Sequence, residues 1–251
     1  MDLSKLTGLY DAYVDTFRDR DGRLPPMMQL KRMHTGFVVR NAEAIADGEG
    51  FSSEERTAAL AAALLHDTGR YEQLRRYDTF RDSESVDHAV FSHDIVRSLG
   101  WLEGDPLAEP VLKAVLYHNR RDLPEGLDPL TAAAAKAVRD ADKLDIFRVL
   151  EAQIDACGGK LDTKAFWNLP VDAPLSPAVV AAIVARRPVD YQNIRSLADF
   201  VAIQIGWMIS GLYYATSRRI CRARGHLAYR REFLHSLTDS PETDRICDLV
   251  T

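Results

Sequence analysis

Five of the seven histidines in this 251-residue chain fall between positions 34 and 118: His34, His66, His88, His93 and His118. His66 is followed at once by Asp67, at the end of the apolar run Ala61-Ala62-Ala63-Leu64-Leu65, and a second acidic stretch, Asp140-Ala141-Asp142-Lys143-Leu144-Asp145, lies downstream. An imidazole and a carboxylate are costly to bury alone, and a metal ion is a partner that suits both. Nitrogen and oxygen donors without a thiolate suit Mn, Fe, Co, Ni, Zn or Mg.

Those side chains need rigid elements to hold them, and the residue spacing supplies helices. Leu6, Leu9, Tyr10, Tyr13, Val14 and Phe17 recur every three or four positions, which predicts an amphipathic helix over 3–17. Pro25-Pro26 opens a second over 27–46, carrying His34 and stopped by Gly48 and Gly50. Ser52 with Glu55 makes a capping-box pattern for a third, which runs to His66 and Asp67 and is released at Gly69. The polar, Arg-rich residues 70–87 show no clear period and are expected as a loop over the site. Helical spacing resumes over 88–99, again from Asp105-Pro106 to His118, and in a longer helix capped by Asp128-Pro129 that carries Asp142. Residues 157–174, with Gly158-Gly159, are the expected joint to a helix opening at Ser176-Pro177 and a long buried helix over 196–222. No strand-like alternation persists, so the fold class is all-α. Two parts follow: a core over 1–157 and an extension over 158–251 packed on it.

At 46% hydrophobic and 27% charged residues, the composition is that of a soluble globular chain with one sizeable core. A net charge of -5 argues against constitutive binding to nucleic acid or to a membrane surface, leaving small substrates as partners. Cys157, Cys221 and Cys247 form no CxxC pair, so neither a disulfide framework nor a thiolate zinc site is expected, and a reducing cytoplasm fits. The N-terminus carries acids where a signal peptide needs an apolar core. The apolar run over 200–215 contains Gln204 and two glycines and falls short of the roughly 20 residues of a spanning helix, so it reads as core.

The ordered set of His34, LLHDTG around His66-Asp67, His88, His118 and DADKL around Asp142 resembles the HD-domain superfamily of metal-dependent phosphohydrolases, over residues 27–150. The resemblance implies an HD-domain helical bundle with additional C-terminal helices. It implies one metal held by His34, His66, Asp67 and Asp142, with Asp67 bridging to a second held by His88 and His118, hence one or two divalent ions per chain. Such a pair makes hydroxide from a bridging water and neutralises charge on a phosphoryl oxygen. The implied activity is hydrolysis of a phosphomonoester or phosphodiester of a nucleotide or another small phosphorylated metabolite. Arg70 stands where some mononucleotide-hydrolysing relatives place a Glu, and no GYP segment of the cyclic-dinucleotide branch is present. Relatives with the same ligand set also include di-iron oxygenases, and a non-catalytic ligand sensor is a third reading.

Cations beside the ligands are the candidates for substrate. Arg70 and Lys143 adjoin the HD pair and Asp142 and are assigned catalytic roles with Asp67; Arg70, Arg75, Arg76 and Arg81 are the expected phosphate grips. His93 lies about 140° round the helix from His88, so it is a candidate for substrate rather than for the same metal, with a helix-surface role as its alternative. Asp140 and Asp142 lie about 200° apart; the A-D-x-L context favours Asp142, leaving Asp140 and Asp145 at the surface or behind the ligands. In the second half, Trp207, Tyr213 and Tyr214 read as core and Arg218, Arg219, Arg222 and Arg224 as a solvated face; the region caps the core or makes a homo-oligomer contact.

Overall fold

Asp2 opens the first helix, α1 (Leu3–Asp15), by accepting hydrogen bonds from the backbone N–H groups of Ser4 and Lys5. α2 (Pro26–Glu49) has Pro in its first turn and ends where Gly50 takes a left-handed φ of 68°; Gly48 remains inside the helix. α3 (Ser53–Leu65) begins with the full capping box of Ser52 and Glu55. It is followed by α4 (Thr68–Tyr77), a 3-10 turn (Asp82–Glu84), α5 (His88–Ser98), α6 (Ala108–Tyr117) and α7 (Pro129–Ala156). The Asp128 carboxylate accepts the Thr131 N–H at 2.9 Å at the start of α7.

The computed structural model describes residues 1–156 and 169–250, and among these the regular elements are helices, with no strand. The chain divides into two compact units, Met1–Asp145 and Ile146–Thr251. Much of the expected joint over 157–174 lies outside the described residues. No described helix is long and apolar enough to cross a membrane.

In the first unit α3 is the hub, packed against α1, α2 and α6. Every residue from Ala58 to Leu65 is buried, which is possible all round a helix only because five of them are Ala and let neighbouring helices come close. The expected loop after the HD pair is instead largely helix. α4 escaped the periodicity argument because its buried face consists of Thr68, Gly69, Tyr71, Glu72 and Gln73 rather than of aliphatic residues. Arg75 and Arg76 also bridge back to Glu72 across one turn, a pairing that supports a polar helix. Gly69 therefore does not release α3. It sits inside α4 at the contact with α5, where an added Cβ would lie 2.6 Å from the backbone nitrogen of Ser92 and 3.0 Å from the carbonyl carbon of Phe91.

The second unit contains α8 (Pro177–Val184), α9 (Leu197–Gly206), α10 (Ala215–Ala223), α11 (His226–Leu237) and α12 (Pro241–Asp248). The long helix expected over 196–222 is broken: a π-helical turn spans Trp207–Gly211, and Leu212 is extended before α10 begins. The Trp207 indole occupies the space beside Gly211, 2.7 Å from where a Cβ would be, so the chain turns around this ring. The core of this unit also holds the fully buried Arg230, whose Nε donates to Gln204 Oε1 at 2.6 Å, Nη1 to Glu151 at 2.9 Å and Nη2 to the Phe147 carbonyl at 2.6 Å. His226 adds a 2.9 Å contact from Nδ1 to Glu151.

Gly69→Ala is expected to destabilise the fold by roughly 1–3 kcal/mol, because the new methyl meets backbone that cannot rotate away. Thermal denaturation checks this; an unchanged midpoint would mean that α4 and α5 separate without cost.

Candidate metal centre

Four helices and one inter-helix junction deliver the six predicted ligands to one buried place. His34 projects from the middle of α2, His66 and Asp67 occupy the junction between α3 and α4, His88 is the first residue of α5, His118 caps the end of α6, and Asp142 lies on α7. His66 is fully buried, and Asp67, His34, His118 and His88 are 3%, 5%, 4% and 8% exposed, so water does not screen their charges.

The two oxygens of Asp67 face different imidazole pairs. Oδ2 lies 3.7 Å from His34 Nε2 and 3.6 Å from His66 Nε2, while Oδ1 lies 3.8 Å from His88 Nε2 and 3.9 Å from His118 Nε2. Asp142 Oδ1 closes the first group, 3.1 Å from His34 Nε2 and 4.0 Å from His66 Nε2. His88 and His118 bring their Nε2 atoms within 3.0 Å of each other. Ligand atoms of His34, His66 and Asp142, and of His66, Asp67 and His118, lie within 4.8 Å of one another as groups.

The tautomers follow from what each Nδ1 touches. His34 Nδ1 meets Asp145 Oδ2 at 2.6 Å, His66 Nδ1 the Ala63 carbonyl at 2.8 Å, His88 Nδ1 Asp82 Oδ2 at 2.5 Å, and His118 Nδ1 the Val115 carbonyl at 2.7 Å. Carbonyl and ionised carboxylate oxygens only accept, so each Nδ1 carries a proton; the neutral rings of His66, His88 and His118 then turn an Nε2 lone pair inward, whereas His34 Nε2 itself faces a carboxylate, Asp142 Oδ1 at 3.1 Å. His66 Nε2 is buried and has no hydrogen-bond partner among the described residues. Two inward lone pairs 3.0 Å apart, on His88 and His118, repel unless a cation lies between or beside them. The donor set therefore fits a divalent ion, and residues of both groups could hold one.

Electrostatics point the same way. Burial lowers the pKa of His66, and burial with the neighbouring His88 and His66 holds His118 well below the usual imidazole range, which keeps both rings neutral as ligands must be. His34 behaves oppositely: burial and Lys31 disfavour its cation, but Asp142 and Asp145 outweigh them and raise its pKa. Burial alone would raise the Asp67 carboxyl, yet Lys31, then His66 and Arg70, hold it well below the carboxylate range. Asp142 is likewise held down, against its burial, by His34 and His66.

The other predicted site residues divide. Arg70 is half-buried beside the centre, its Nε 3.5 Å from Asp67 Oδ1, while Nη1 donates to Gln73 Oε1 at 2.8 Å, to the Phe80 carbonyl at 2.6 Å and to Asp82 Oδ1 at 3.0 Å. Arg75 and Arg76 are exposed on α4 and pair with Glu72, and Arg81 pairs with Glu84 at 2.7 Å. His93 meets Asp94 at 2.8 Å on α5 and joins none of the ligand groups among the described residues. Lys143 stands beside Asp142 on α7, where burial and Arg139 push its ammonium down to about 8.

Three contributors, Lys31, Asp82 and Arg139, were not singled out by sequence, and Asp145 takes the place behind the ligands that was one of its two expected positions. Lys31, one turn before His34, places Nζ 2.7 Å from Asp67 Oδ2. Asp82 and Asp145 orient His88 and His34. Arg139 donates to the carbonyls of Tyr117, His118, Arg120 and Arg121, which fixes the end of α6 that bears His118. The one available signal was spacing: Lys31 and Asp145 each lie three residues from a predicted ligand on the same helix, hence on its face.

Asp82→Asn and Asp145→Asn are each expected to weaken divalent-metal binding by roughly 10- to 100-fold while helical content stays the same. Isothermal titration with Mn and circular dichroism check this. Unchanged affinity in both variants would reduce these carboxylates to packing roles.

A family model described as the HD domain matches residues 33–146. Comparison with curated proteins and with solved structures gave no match. The matched span begins one residue before His34 and ends one residue after Asp145, so it contains all six candidate ligands and both carboxylates that contact the Nδ1 atoms of His34 and His88. Residues 33–146 are thus identified as an HD domain, consistent with the HD-domain superfamily of metal-dependent phosphohydrolases.

Proposed function

We propose that this protein is a metal-dependent phosphohydrolase that cleaves a phosphomonoester or phosphodiester of a nucleotide or another small phosphorylated metabolite with water. The observation that carries this reading is the convergence of four inward Nε2 atoms on the two oxygens of one buried carboxylate, Asp67. His34, His66, Asp67 and Asp142 would hold one divalent ion, and His88 and His118, with Asp67 shared, would hold a second. When bound, the ions supply Lewis acidity toward water and toward the phosphoryl oxygens.

The chain's own residues do the remaining work. The four Nδ1 hydrogen bonds lock the rings in the ligating tautomer, and the low pKa of Asp67 and Asp142 keeps both carboxylates ionised at neutral pH. Because the ligands are buried, charge developing on a substrate is stabilised by groups already in place rather than by water that must reorganise. Arg70 takes a different part from the phosphate grip expected of it. Its Nη1 already donates to three acceptors, one of them Asp82, so we assign it to holding the segment that orients His88. Arg75, Arg76 and Arg81 have glutamate partners at hand; Arg75 and Arg76 are assigned to the surface of α4 and Arg81 to the segment leading into the 3-10 turn. Lys143, adjacent to Asp142, remains a candidate to modulate that ligand.

Metal analysis followed by a phosphatase and phosphodiesterase panel with Mn, Co, Ni, Mg and Zn tests the reading. His66→Ala and Asp67→Ala are expected to lose metal and to lower turnover by roughly 10²- to 10³-fold or more, with the helical fold retained. Normal turnover by metal-free Asp67→Ala protein would sink the mechanism.

Metal affinity should also depend on pH in a defined direction. Binding to imidazole expels any proton it carries, and His34, with its raised pKa, holds its proton to the highest pH of the cluster's resolved rings. Affinity is therefore complete above the His34 pKa and falls about tenfold per unit as pH drops below it. Titration calorimetry in buffers of different ionisation enthalpy reads the released proton; binding independent of pH between 5 and 8 would contradict the assignment of His34 as a ligand.

A further inference from the structure

We infer that Lys31 is the residue that binds the phosphoryl anion at this centre; the inference rests on the phosphohydrolase reading. Lys31 precedes His34 by one turn of α2, so both side chains leave the same face of the helix. Its Nζ lies 2.7 Å from Asp67 Oδ2, the oxygen that also faces His34 and His66. The Lys31 side chain is 19% exposed where that of Asp67 is 3%, so the ammonium reaches the carboxylate from the solvent side.

The chemistry of this contact leaves the lysine with capacity to spare. An ammonium carries three N–H donors, and the ion pair with Asp67 uses one. Phe80 holds it further: Nζ lies 5.4 Å from the ring centroid, and the Arg70 guanidinium lies 5.6 Å from the same ring. A cation over an aromatic face is positioned without surrendering an N–H group. Asp67, Asp142, Asp82 and Asp145 line the centre with negative charge, and a phosphate anion approaching it needs a cation at the entry side. Of the arginines expected in this role, Arg75 and Arg76 pair with Glu72 and Arg81 with Glu84, while Arg70, whose Nε faces Asp67 Oδ1 at 3.5 Å, has its Nη1 committed to Gln73, the Phe80 carbonyl and Asp82. Lys31 instead pairs with a carboxylate whose charge would be shared with a bound metal, which frees the ammonium for a second anion.

The bland alternative is that Lys31 only neutralises Asp67, and the two differ in what a phosphate titration reads. Inorganic phosphate is titrated calorimetrically into Mn-loaded wild type, Lys31→Met and Lys31→Arg, with metal content measured on each sample. Lys31→Met keeps the length of the stem and removes the charge; it is expected to bind phosphate at least about tenfold more weakly at unchanged metal content, with Lys31→Arg retaining most of the affinity. Phosphate affinities within twofold of wild type in Lys31→Met would overturn the assignment, as would equal losses in Lys31→Met and Lys31→Arg, which would indicate packing rather than charge. If Lys31→Met fails to fold, Lys31→Gln reads the same quantity. Charge-dependent phosphate binding without hydrolysis of any ester would keep Lys31 as an anion site and remove the phosphohydrolase reading. Hydrolysis with unaltered phosphate binding in Lys31→Met would do the reverse.

Discussion

Inward-facing Nε2 atoms on four buried imidazoles, set against the buried carboxylate of Asp67 and the half-buried one of Asp142, are the constraint around which the first unit is built. Such a cluster repels itself, and burial removes the water that would otherwise screen it. It is tolerable only with cations at hand, and the chain supplies Lys31 and Arg70 on opposite oxygens of Asp67. Each ring also needs an acceptor behind it. Those acceptors come from separate places, Asp145 on α7, Asp82 in the 3-10 turn, and carbonyls within α3 and α6. The helices must therefore satisfy two demands at once, bringing Nε2 atoms together while placing an acceptor behind every Nδ1.

Close helix packing is what meets both demands. An alanine-rich α3 lets α1, α2 and α6 approach a common axis, and Gly69 lets α4 rest against the backbone of α5. The junction between α3 and α4 is consequently short, and His66 and Asp67 occupy it together. At the far side, the guanidinium of Arg139 gathers the carbonyls that end α6, so a side chain from α7 fixes the backbone carrying His118 while the Val115 carbonyl of α6 orients its ring. Asn119 extends the brace by donating to Asp87, the residue that caps the helix beginning at His88.

Charge is distributed on the same logic. Removing one partner of a buried pair leaves an uncompensated charge at a cost of several kcal/mol, so cations near the centre are held by more than one contact. Arg70 shows this most fully, tied at once to Gln73, Phe80 and Asp82. Exposed arginines on α4 face no such demand, and their pairs with Glu72 are worth little beyond support for a polar helix. Arg230 in the second unit is a separate instance of the buried case: it is fully enclosed and every nitrogen of its guanidinium finds an acceptor.

Helices with a continuous apolar face or a clear cap could be read from the residues alone, because periodicity and capping act over a few positions: α1, the start of α3 at Ser52, and the end of α2 at Gly50 are of this kind. The ordered histidines and aspartates, and the resemblance they carry, were equally legible, since a ligand set is a matter of residue type and order. Tertiary contacts decided the rest. α4 was hidden because its buried face is polar and made of contacts to other helices, and the break at Trp207–Gly211 because a ring folding over a glycine leaves no periodic trace. Lys31 was invisible for the same reason as Asp82 and Arg139: a charged residue has no single meaning in sequence, and only folding decides whether it meets water, a surface glutamate or a buried carboxylate. The chain itself determined which groups could do chemistry; the packing of its helices determined which charges reach them.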